Sequence, residues 1–109
     1  VKIALKKHGK VGRVDPNDKV DDPVHFDRDG AGPHELLTLE KVGEDFFAEW
    51  EAAQRALSLT KDGQWVTRKK GTRQGWETFK ATIQPEGKNF LYRREGDRLV
   101  DVVEFVEVK

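Results

Sequence analysis

The sequence predicts an all-β domain, a sandwich or barrel of short antiparallel strands. Two observations carry this. Apolar residues alternate with polar ones at the period of a strand, which buries one face and wets the other. Clusters of turn residues separate these runs at intervals of roughly 8–12 residues.

The strands follow in order. Val1, Ile3 and Leu5 alternate with Lys2, Ala4 and Lys6, and the run ends at His8-Gly9. Leu37 and Leu39 alternate with Thr38 and Glu40, after a turn at Asp29-Gly30. Leu57 and Leu59 flank Ser58, and Asp62-Gly63 leads to Trp65-Val66. Phe79, Ala81 and Ile83 alternate with Lys80 and Thr82, and Val102 to Val108 close the chain among acids. Further turn signals stand at Asp15-Pro16-Asn17, Pro85-Glu86-Gly87 and Glu95-Gly96-Asp97. One stretch, Phe46 to Leu57, has good helix formers and also alternates. With strands on both sides, a strand, a turn near Ala52-Ala53-Gln54 and a second strand is the expectation.

Composition narrows the classes. The chain has 109 residues, which fits a single domain, 1–109. Charged residues make up 37% of it, against about 25% in typical domains, so the surface is densely charged. Twenty bases cancel 20 acids, which removes the large net charge expected of a disordered chain. No run approaches the ~20 apolar residues of a membrane-spanning helix, and the first residues are too charged for a secretion signal. The chain has no cysteine, so disulfides, thiolate metal sites and cysteine nucleophiles are impossible.

Charge is segregated along the chain. Residues 1–13 carry five bases and no acid; residues 14–51 carry a net of −9; residues 52–109 carry a net of +4. Such blocks can polarise a surface or make a contact between copies. The expectation is that strands from the blocks interleave and the polarity averages out.

The chain is faintly similar to itself. Ile3 to Val11 and Leu57 to Trp65 each read as a strand ending in a turn. Phe26-Asp27-Arg28-Asp29-Gly30 and Arg68-Lys69-Lys70-Gly71 read as polar connectors. Gly32-Pro33-His34-Glu35-Leu36-Leu37 and Gly75-Trp76-Glu77-Thr78-Phe79 read as tight turns feeding strands, and Phe90 to Val108 forms a shorter third copy. The repeats fall at about 1–45, 46–87 and 88–109. These residues resemble the G-P-W-E-x-F signature of fascin-like (actin-cross-linking-like) β-trefoils. The resemblance implies a small β-trefoil-like barrel. His34 departs from the signature where Trp76 keeps it, and the abbreviated third repeat implies an incomplete barrel. In that family the signature tryptophan mostly caps the core, so Trp76 is expected inside.

Little in the sequence points to catalysis. His34-Glu35 lacks the second histidine, four residues on, of a zinc-protease helix. His8 and His25 read as solvated turn residues. The acids of Asp15 to Asp22 and Asp27 to Asp29 do not match a calcium loop and read as a solvated, flexible loop, an insertion in the first repeat that could bind a ligand. Ser58 is the sole serine, and no Gly-x-Ser-x-Gly elbow exists. No enzyme activity, metal or other cofactor is expected. Arg68-Lys69-Lys70 and Arg73 beside Trp65 and Trp76 could contact nucleic acid, but a pI near 7.0 argues against that partner.

The resemblance implies a non-enzymatic adhesion or carbohydrate-binding module, in an extracellular or virion setting. Trp65 is the expected stacking surface, because the first repeat has only Val11 at that place, with Arg68, Lys69 and Arg73 donating hydrogen bonds. The alternative is a structural or decoration protein of a larger assembly such as a phage virion appendage. It would act through protein–protein contacts, including contacts between copies. Filament bundling of the actin-cross-linking type would ordinarily need several trefoils in one chain.

Overall fold

The structure is a computed structural model that describes residues 1–15, 17, 19–84, 87–95 and 98–108, with only the backbone of Arg94, Glu95, Arg98, Leu99 and Asp101. The turns expected at Asp15-Pro16-Asn17, Pro85-Glu86-Gly87 and Glu95-Gly96-Asp97 lie partly outside the described residues, as does Asp18 of the acidic stretch. The described strands are β1 (Lys2–Lys7), β2 (Lys10–Arg13), β3 (His25–Arg28), β4 (Leu36–Val42), β5 (Asp45–Trp50), β6 (Arg55–Leu59), β7 (Trp65–Lys69), β8 (Lys80–Ala81), β9 (Asn89–Glu95) and β10 (Arg98–Glu107). A 3-10 turn over Gly75–Glu77 precedes β8. No helix among the described residues is long and apolar enough to cross a membrane.

All pairings are antiparallel. The main path runs β7-β6-β5-β4-β1-β10-β9-β8, and β2 joins β1 to β3. β1 is the hub. One edge meets β10, with Leu5 opposite Phe105. The other meets β4 near its start, with Ile3 opposite Leu37, and β2 near its end. Among the described residues the last side of the barrel has no continuous ladder and is spanned by one bridge, in which Phe46 and Phe79 exchange two backbone hydrogen bonds of 2.9 and 3.0 Å. The fold is thus an all-β, barrel-like sheet that is not closed by a full ladder.

Local sequence explains the elements. His8 and Gly9 have φ of +53° and +78°, the paired left-handed residues of a tight hairpin between Lys7 and Lys10. A Cβ on Gly12 would come within 2.9 Å of the Phe26 ring, so glycine lets β2 and β3 pack closely. The Phe46–Leu57 stretch is a strand, a turn at 51–54 and a strand, as its alternation predicts. Ile3, Leu5, Leu37, Trp50, Leu57, Leu59 and Leu91 are fully buried, with Phe79 and Phe105 nearly so. Burial of each such side chain contributes about 1.5–3 kcal/mol.

Three readings need correction. Phe26 to Arg28, expected as connector, belongs to β3, and so does His25. Arg68 and Lys69, also expected as connector, complete β7. The two hairpins compared in the repeat do not take equivalent places, because β1 lies mid-sheet whereas β6 and β7 lie at one end. By order of pairing, β6 follows β5 as β2 follows β1.

Candidate functional site

Trp65 is not at the surface. It opens β7 opposite Leu59, is 6% exposed and packs on Phe79 with ring centroids 5.4 Å apart. The segment before β3 helps to bury it. Val24 N–H donates to Trp65 O at 3.0 Å, Thr67 N–H to Asp22 O at 3.0 Å, and Asp21 N–H to Thr67 O at 2.9 Å. Thr67 Oγ1 also lies 3.3 Å from Lys19 O, within hydrogen-bond reach. This strap lines the outer edge of β7. Lys19, Asp21 and Asp22, expected within a solvated, flexible loop, are therefore held by hydrogen bonds through their backbone groups.

The candidate cations separate into different roles. Arg68 reaches the Asp21 carboxylate and so ties the strap to β7. Arg73 hydrogen-bonds Glu40 at 2.5 Å and stands 3.8 Å from Glu49, while its guanidinium lies over the Phe47 ring, 4.6 Å from the centroid. Lys69 is exposed and has no carboxylate partner among the described residues. Lys69 and Arg73 share an open groove of about 600 Å³ with Glu49, Arg55 and Lys70. Arg55 donates to the carbonyls of Ala53 and Gln54, and Lys70 to Glu51 at 2.6 Å. The hydrogen bonds from Arg73 and Lys70 hold the Glu40 and Glu51 carboxyls below their ordinary values. In return Lys70 is raised, first by its hydrogen bond to Glu51. These groups are fully charged at neutral pH.

Trp76, expected in the core, is 46% exposed. The 3-10 turn explains why. Successive residues of such a turn point about 120° apart, and Glu77 takes the inward direction. Glu77 is 4% exposed; its carboxylate accepts from Ser58 Oγ at 2.5 Å and from the Gln74 N–H at 3.2 Å. Phe79 then fills the core, and Trp76 is left outside. The Arg93 guanidinium stacks on it, 4.6 Å from the ring centroid. The same Arg93, with Gly75, Thr78, Phe79, Asp45 and Lys80, lines a depression of about 350 Å³ that the Trp76 ring itself does not line. Asp45 and Lys80 pair across it at 2.9 Å.

The exposure expected of the two tryptophans is thus reversed: Trp65 is buried and Trp76 is half-exposed. The deciding contact is distant in sequence: Ser58 Oγ donates to the Glu77 carboxylate, which takes the inward place and leaves Trp76 outside.

Other depressions are less well equipped. One of about 280 Å³ lies between Ile3, Leu39, Phe46, Ile83 and Phe105, with Lys41 on its rim. Another, of about 260 Å³, is lined by Arg13, Asp15, Arg28, His34 and Glu35. Among the described residues no three His, Asp or Glu side chains converge as a metal site would need. Arg93 joins an exposed aromatic ring to a depression that also holds a carboxylate, a second cation and a hydroxyl, groups that suit reversible binding of a polar ring compound. No protein-family model matches this chain, and no curated protein matches it significantly.

Proposed function

We propose that this domain is a non-enzymatic carbohydrate-binding module whose site is built on Trp76. The half-exposed indole with the Arg93 guanidinium stacked on it carries the reading, and Arg93 also lines a depression with Asp45, Lys80 and Thr78. A pyranose has an apolar C–H face and a rim of hydroxyls. An aromatic ring suits the face, and charged donors and acceptors suit the rim. The resemblance to fascin-like trefoils supports the same class. Ser58, the only serine, is engaged with Glu77 in the interior, which supports a role without nucleophilic catalysis.

Immobilised glycans probed with the wild-type protein test the proposal. At least one class should be retained, and Trp76→Ala should weaken it by about tenfold. Retention of no glycan, or equal binding by Trp76→Ala, would overturn it.

A second reading, a structural module acting through protein–protein contacts, is favoured by Val102 and Val106. Both are exposed on the outward side of β10. Light scattering that shows a stable oligomer, with no glycan retained, would establish this reading over the first.

A further inference from the structure

One end of the barrel can be followed wall by wall. Phe46 on β5 stands opposite Lys41 on β4. Leu39, two residues back on β4, donates its N–H to Val1 O at 2.9 Å, just ahead of β1. Ile3 on β1 stands opposite Glu107 on β10, and Phe105 opposite Asn89 on β9. Asn89 Oδ1 accepts from the Gln84 N–H at 2.7 Å, which ties in the segment after β8. The Phe46–Phe79 bridge returns the circuit to β5. Every residue of this circuit except Phe79 lines the depression of about 280 Å³. That depression is therefore a mouth of the barrel, a common place for a small ligand.

The mouth has an apolar floor and a sparse polar rim. Ile3, Leu39 and Phe105 are buried at its base, so it lacks the polar lining a sugar needs. Ile83 continues the inward series of Phe79 and Ala81, yet it is 60% exposed. An apolar side chain on an inward wall thus has nothing packed on it from above. Residues two apart on a strand share a face, so Lys41 points the same way as Leu39. Its ammonium lies 5.9 Å from the centroid of the Phe46 ring. Among the described residues Lys41 makes no ion pair. Asn89 uses its carbonyl oxygen for Gln84, so its amide N–H groups face the mouth as donors.

We propose that this mouth binds a compact apolar molecule bearing a single carboxylate. The ring or branched body rests on Ile3, Leu39 and Phe105, and the carboxylate turns to Lys41. Glu107 stands across β1 from Lys41 and also makes no ion pair among the described residues, so it repels a second negative charge. The volume lies at the small end of the ~300–1,000 Å³ usual for ligand pockets, which excludes long lipid chains. This site is separate from Trp76 and does not depend on the carbohydrate reading.

The test is titration of the intact protein with 3-phenylpropanoate, followed by amide NMR. Its neutral amide, the corresponding amine and the diacid phenylsuccinate are titrated beside it. The monoacid should shift Leu39, Ile83 and Asn89 and bind about fivefold tighter than the other three. Lys41→Gln should remove that advantage over the neutral amide, and Lys41→Arg should keep it. Lys41 is exposed, so both variants should fold. No binding at millimolar concentration, equal binding of the monoacid and any of the other three, or an unchanged preference in Lys41→Gln would overturn the inference. Shifts confined to Trp76 and Arg93 would overturn it too, by moving the ligand to the other site. Tightest binding of the amine would overturn the acid assignment and give the mouth to a cation held by Glu107.

Discussion

Trp65→Ala removes a ring packed 5.4 Å from Phe79 inside the core. It should destabilise the protein by about 3–5 kcal/mol. Trp76→Ala removes a half-exposed ring whose one described ring contact is Arg93, and should cost under about 1 kcal/mol. Urea denaturation of the two variants measures the contrast; similar midpoints would contradict the placement of these side chains. Neither position was legible locally. Trp65 follows a hairpin turn and Trp76 follows a glycine, and both settings suit a surface residue or a core one. What decides is distant: the strap pairs with β7, and Ser58 receives Glu77. By contrast, the inward positions of Ile3, Leu5, Leu37 and Leu59 followed from alternation, since each strand needed only one apolar face.

At the scale of elements, the strap makes a sharp expectation. The amides of Asp21, Val24 and Thr67 are donors in its hydrogen bonds to and from β7. Hydrogen exchange should protect all three well beyond an exposed loop. Protection of Thr67 alone would show that the strap is held less firmly than its geometry states. The acidic stretch was read as a solvated loop because Asp, Asn and Pro dominate it. Pairing through backbone groups needs no apolar side chains, so composition does not announce it. The turn at 51–54 was legible for a related reason. A helix through Phe46 to Leu57 would have gathered Phe46, Trp50, Ala53 and Leu57 on one face, turned Ala48 and Ala52 to the other, and left the alternating pattern unused. As a strand, β5 places Ala48 and Trp50 opposite Leu39 and Leu37.

For the molecule as a whole, the charge blocks of the sequence interlock. Asp29 pairs with Lys10, Asp27 with Arg13, Asp21 with Arg68, Glu51 with Lys70, Glu40 with Arg73 and Asp45 with Lys80. Each pair joins the acidic middle to a basic flank, so the segregation seen along the chain largely cancels in space. Among these carboxyls, Asp27, Asp29, Glu40 and Glu51 are held below their ordinary values, in each case first by the side-chain hydrogen bond from the basic partner. The folded protein therefore binds protons less readily than the unfolded chain. The stabilisation is complete above the ordinary carboxylate range and is lost as pH falls from that range through the lower values of the folded carboxyls. The urea midpoint should decline as pH drops from about 5 to 3, and the decline should shrink in about 1 M salt. A midpoint unmoved over that interval would show that these pairs add nothing to the balance.

The strap across β7 has one more consequence. A lone edge strand offers a row of vacant amide and carbonyl groups on which another copy can add, copy after copy, into a filament. Here the chain occupies that row itself through Asp21, Asp22 and Val24. Any change that peels this segment away would expose a ready template, so protection against fibrous self-association is written into the same few bonds that hold the segment down.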